Sequence, residues 1–134
     1  MQLDNALYAA AQVIHNFGAV AATALPIAVV RLRPATALLP RIAWIALVAW
    51  LFQIASGAGF GAVSYFVVGE LPEIHNLALA ALLVKIACAL IALLLVVAIL
   101  AGPAARAESR GIWTGLAACG SIALFSAAIL RWFS

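Results

Sequence analysis

IHNLALAALLVKIACALIALLLVVAILAG, residues 74–102, is the longest apolar run in the chain, and its reading decides the fold. Lys85 is its only Lys, Arg, Asp or Glu. A helix crosses the ~30 Å hydrocarbon core of a bilayer with about 20 apolar residues, so this run can span with some tilt. Three other runs have the same character. The expected spans are 7–31, 42–68, 74–101 and 112–133. Short links join them. The chain therefore reads as one all-α domain over 1–134, a four-helix transmembrane bundle with up-down topology.

Composition agrees. Of the 134 residues, 69% are hydrophobic and 8% charged, against about 25% charged in a soluble domain. Too few charges remain to cover a surface in water. The net charge of +3 comes from arginines between apolar runs, which is a topology signal and not a nucleic-acid patch. No P-loop, GxSxG, HExxH or pair of carboxylates within a span occurs, so hydrolase and NTPase chemistry has no residues to use. Cys88 and Cys119 lie in different runs without CxxC spacing and read as small buried hydrophobes. The start of the chain has no basic region or cleavage site, so the first run is expected to be retained as a span.

Arg31, Arg33 and Arg41 flank the first link, and Arg106 and Arg110 lie in the third. The second link carries Glu70 and Glu73 and no Lys or Arg. The positive-inside rule then puts links one and three in the cytoplasm and the termini on the outer face of a bacterial inner membrane. Arg131, at the outer end, dissents. Trp44, Trp50, Trp113 and Trp132 read as interface anchors. Pro26 is expected to kink the first helix, since membrane helices tolerate such prolines.

The two histidines of the chain both stand in the tripeptide Ile-His-Asn, at Ile14-His15-Asn16 and Ile74-His75-Asn76. Topology puts both on helices that descend from the same face. Ionisable groups at membrane depth are costly and are functional candidates by default. His15 and His75 are thus candidate axial ligands of one haem b, since a neutral imidazole ligates iron well and a helical bundle holds the macrocycle. Asn16 and Asn76 are candidate hydrogen-bond donors to a propionate. Gly57 and Gly61 form GxxxG, which lets a flat ring or another helix approach closely. Lys85 is a candidate contact for a propionate or a quinone carbonyl, and Gln12 a candidate partner of the His15 imidazole. The alternatives are structural: an interhelical hydrogen bond at His15, a helix-start residue at His75, and a Lys85 held by backbone carbonyls or Gln53.

Depth limits the shared-ligand reading. His75 opens its span, whereas only 16 residues separate His15 from Arg31, which buries His15 about 15 Å deeper at ~1.5 Å per residue. The gap shrinks to about one turn if the first helix runs on to Leu39.

The first helix, with His15 followed by Phe17-Gly18-Ala19 and further small residues, resembles the first histidine helix of CopD-like and cytochrome b561-like membrane proteins. The resemblance covers one helix and the general architecture. It implies a compact helical core with inward histidines and haem. Two histidines allow at most one bis-histidine haem, where cytochrome b561-like proteins bring four histidines. The tryptophan that CopD-like proteins carry downstream of the histidine is absent.

The expected function is electron transfer between the quinone pool and a periplasmic redox protein, by a b-type cytochrome subunit set among other membrane subunits or in a homo-oligomer. The rival expectations are a cofactor-free accessory subunit and a small metal or solute transporter. One methionine, Met1, weighs against a copper path.

Overall fold

The computed structural model describes the backbone of residues 2–68 and 76–133, and the side chains of residues 9–59 and 77–132. The helices are α1 (Gln2–Leu32), α2 (Leu39–Val68), α3 (Asn76–Ala101), a short α4 (Ala104–Glu108) and α5 (Arg110–Phe133). No strand occurs among the described residues. Four helices are long and apolar enough to cross a membrane, over Ala9–Leu32, Thr36–Gly59, Leu77–Ala101 and Arg110–Trp132. The protein is an all-α, multi-pass membrane bundle.

Arg33 and Pro34 together stop α1 at Leu32. Arg33 takes a left-handed conformation, φ 48°, and its N–H returns to the Val29 carbonyl at 3.1 Å. This is the αL cap, with arginine where glycine is usual. Pro34 has no N–H to continue the ladder. The first helix therefore does not run on to Leu39. A 3-10 turn, Thr36–Leu38, leads into α2, whose first turn holds Pro40, where a missing N–H costs nothing. Pro26 lies inside α1 without ending it.

The helices close into a ring. α3 packs most extensively on α5, α1 lies against both α2 and α5, and α2 completes the circuit against α3. On α3 the inward stripe runs Ala78, Ala81, Lys85, Cys88, Ala92, Val96 and Ile99, steps of three and four that keep one face of a helix turned to its neighbours. Alanine dominates this core. Lipid tails are as apolar as leucine, so helix association relies on close packing of small residues. Large apolar side chains such as Phe17, Leu94 and Phe125 point outward, where lipid covers them.

The backbones of α1 and α5 approach closely at Gly120. A Cβ on Gly120 would lie 2.9 Å from the Thr23 Cα and 3.2 Å from the Ala22 carbonyl oxygen. Gly57, the GxxxG glycine whose surroundings are described, faces open space with nothing within 4 Å of a built Cβ. It does not seat a helix of this bundle.

Trp113 corrects another expectation. It is not an interface anchor but one of the most buried side chains, 1% exposed, and its Nε1–H donates to the Ala107 carbonyl at 2.7 Å. It pins α4 onto the start of α5. Trp44 and Trp132 do face outward. Trp113→Ala removes both the filling and the hydrogen bond. A loss of about 3–5 kcal/mol is expected, read as a lowered unfolding midpoint in detergent. A change under about 1 kcal/mol would return Trp113 to the surface, where substitutions cost little.

Candidate functional site

His15 on α1, Ser56 on α2 and Lys85 on α3 converge on one point. His15 Nδ1 lies 2.6 Å from Ser56 Oγ, and Lys85 Nζ lies 3.4 Å from His15 Nε2. Gln53, buried on α2, donates its Nε2–H to the His15 backbone carbonyl. Gly18 makes room for this, since a Cβ there would lie 2.7 Å from Gln53 Nε2.

Donor and acceptor types order the chain. A Lys85 ammonium can only donate, so Nε2 accepts and Nδ1 carries the ring proton. That assignment follows from the partners, as ring hydrogens are placed by inference. Nδ1–H then donates to Ser56 Oγ, and the Ser56 hydroxyl donates to the Phe52 carbonyl one turn back. Four groups from three helices thus point their hydrogen bonds in one direction.

The cluster sits at one level of the bundle. His15 is seventeen residues from Leu32, Ser56 seventeen from Leu39, and Lys85 sixteen from Ala101. At ~1.5 Å per residue each stands roughly 25 Å from the arginine-bearing end.

Several sequence candidates fall elsewhere. Gln12 does not support the imidazole; it donates to Asn16 Oδ1 at 3.3 Å, and Asn16 is exposed. Lys85 meets His15 and not Gln53. Gly57 lies exposed on α2. His75, the side chain of Asn76 and the surroundings of Gly61 lie outside the described residues. No group of three or more His, Cys, Asp or Glu suited to a metal ion occurs among the described residues.

A haem iron on His15 would take Nε2 and leave Nδ1–H to a hydrogen-bond partner. Ser56 is such a partner. Lys85, however, stands on the Nε2 side, where the iron belongs. In this arrangement the residues do not fit an iron at His15.

No family model matches the chain, and neither curated proteins nor solved structures show a significant likeness to it. The chemistry of the site alone carries its reading.

The sequence gives Ser56 no role at His15, and Trp50, read there as an interface anchor like the other tryptophans, is buried instead. Ser56 is one hydroxyl among several, and only the α1–α2 register makes it the His15 partner. Trp50 is 3% exposed, and its Nε1–H is buried with no acceptor among the described residues. Such an orphaned donor usually costs about 1–3 kcal/mol. It lies one turn from Gln53 on α2, close to the cluster.

Proposed function

We propose that the chain is a quinone-interacting membrane redox subunit whose head-group site is the His15–Lys85 pair. The observation that carries this is the Lys85–His15–Ser56 chain inside the bundle. Two basic groups meet at membrane depth, and the only acidic side chain described, Glu108, lies at the arginine-bearing end. Intramembrane charges pair with a partner or mark a substrate or proton path. Lys85 keeps ammonium N–H groups beyond the one that reaches His15, and an acceptor for them can arrive through the hydrocarbon. A quinone carbonyl is neutral, lipid-soluble and accepts hydrogen bonds.

Lys85 would hold a carbonyl oxygen with an ammonium N–H not used on His15. His15 would give a proton to that oxygen or take one from it, and its Nδ1–H passes the exchange to Ser56. Trp50 Nε1–H is a further donor for an oxygen in the adjacent turn. The electrons would leave to a partner subunit or a periplasmic redox protein.

Titration of the purified chain in nanodiscs with decylubiquinone, followed by tryptophan fluorescence, tests the reading. Saturable quenching is expected in the wild type. His15→Ala should weaken it at least tenfold, about 1.4 kcal/mol, and Trp50→Phe by less. Unchanged affinity in His15→Ala would remove the site from His15. The bis-histidine haem reading makes a different demand. It requires Lys85 to swing off Nε2 and a b-type band in the reduced-minus-oxidised spectrum that disappears in His15→Ala. A cofactor-free accessory subunit gives neither signal.

A further inference from the structure

Cys88 and Cys119 take no part in the cluster above. We propose that they form a redox-active dithiol, closed to a disulfide by a quinone at the His15–Lys85 pair, which leaves as quinol. The inference rests on the quinone reading for its oxidant, and on the thiols' own placement for the rest.

Both cysteines are free and buried, and they come from different helices of the best-packed interface, α3 with α5. Their thiols are near neighbours across that interface. Both belong to the same apolar core, at 7% and 8% exposure. A disulfide requires Cα atoms about 4.4–6.8 Å apart, and the alanine-rich face of α3 lets the two helices pack closely.

A buried thiol is normally inert. These two differ in what stands next to them. Lys85 precedes Cys88 by three residues on the same inward stripe, ~4.5 Å along the helix axis. An oxidant held at Lys85 is thus within one helical turn of a thiol, while water-borne oxidants are kept out by the hydrocarbon.

The balance closes with the quinone as oxidant. Two S–H bonds break and one S–S bond forms between Cys88 and Cys119. Two electrons and two protons pass to the quinone, and its two carbonyl oxygens become hydroxyls. The Lys85–His15–Ser56 chain lies beside the thiols as a route for a proton. Run in reverse, quinol reopens the disulfide.

The test uses the full chain in nanodiscs without oxygen. The protein is reduced, the reductant removed, and samples treated with decylubiquinone or with diamide. Each is then denatured and labelled with a maleimide polymer that adds one mass step per free thiol. Two steps are expected before treatment and none after either oxidant, with reversal by reductant. Cys88→Ser should keep its remaining thiol free in both arms. Lys85→Met should close normally with diamide and at least tenfold more slowly with decylubiquinone. Two free thiols after both oxidants would overturn the dithiol, whatever the quinone binding. Closure by diamide alone, in protein that still binds decylubiquinone, would overturn the coupling and leave the quinone reading standing. Closure by diamide alone in protein that binds no decylubiquinone would overturn both.

Discussion

Replacing Lys85 by methionine is expected to leave the bundle folded, at equal or higher stability, while decylubiquinone affinity falls tenfold or more. The two halves of that result have different causes. A lysine at membrane depth costs about 2.5–3.5 kcal/mol on insertion scales at the helix centre. It costs less here, because the amine has a partner in His15. Methionine is unbranched and adaptable, so it fills the same channel between α3 and α1 without the charge. Against this, His15 Nε2 loses its donor, and an unsatisfied buried acceptor costs about 1–3 kcal/mol. The net change is therefore near zero or favourable. Ligand binding has no such compensation, because methionine cannot donate to a carbonyl. Thermal unfolding and quinone titration of one preparation read both halves. A midpoint more than about 5 °C lower, roughly 1–2 kcal/mol for a domain of this size, would mean that the Lys85–His15 contact holds the bundle together and is not a site.

The second large effect concerns two glycines. Gly120→Leu should be the most damaging single change to the fold, and Gly57→Leu should be nearly silent in the isolated chain. At Gly120 a side chain meets the Thr23 Cα and the Ala22 carbonyl oxygen. Those are backbone atoms of α1 and cannot rotate away, so α1 and α5 must separate. Overpacking of this kind costs about 1–3 kcal/mol and occasionally more. The leucine pushes towards the upper end, because the rest of its side chain must also fit. Folded yield in detergent and the unfolding midpoint should both fall. At Gly57 the new side chain enters open space, and the helix gains up to about 1 kcal/mol from losing a glycine. Equal damage at both positions would mean that Gly57 carries a contact the isolated bundle lacks.

The contrast between these glycines shows where the sequence stops being legible. The GxxxG spacing of Gly57 and Gly61 stands out in the sequence, while Gly120 sits in Cys119-Gly120-Ser121 with no pattern around it. A membrane helix is apolar all round, so polarity does not distinguish the inward from the lipid-facing side. The same ambiguity hides the burial of Trp113. A tryptophan near a span end suits an interface anchor, and only the position of α4 makes it core. Gln12 goes the other way, paired along the exposed face with Asn16 instead of turning to His15.

What the sequence determined by itself was the class of object and its unusual groups. Run lengths and the scarcity of charge required four membrane helices, because a bilayer admits few other solutions for backbone polar groups. His15 and Lys85 stood out as groups that hydrocarbon makes costly. Tertiary structure alone decided who meets whom. The sequence singled out His15 and Lys85 without joining them, and the fold brings His15 to Lys85 and Ser56. The reason is register. Seams built largely of alanine offer nearly the same packing after a slip of one turn. The level of α1 against α2 and α3 is instead set by where α1 ends, at the left-handed Arg33 before Pro34, and by the close approach at Gly120. Those constraints come from chain segments far from the histidine, and together they place it beside the lysine.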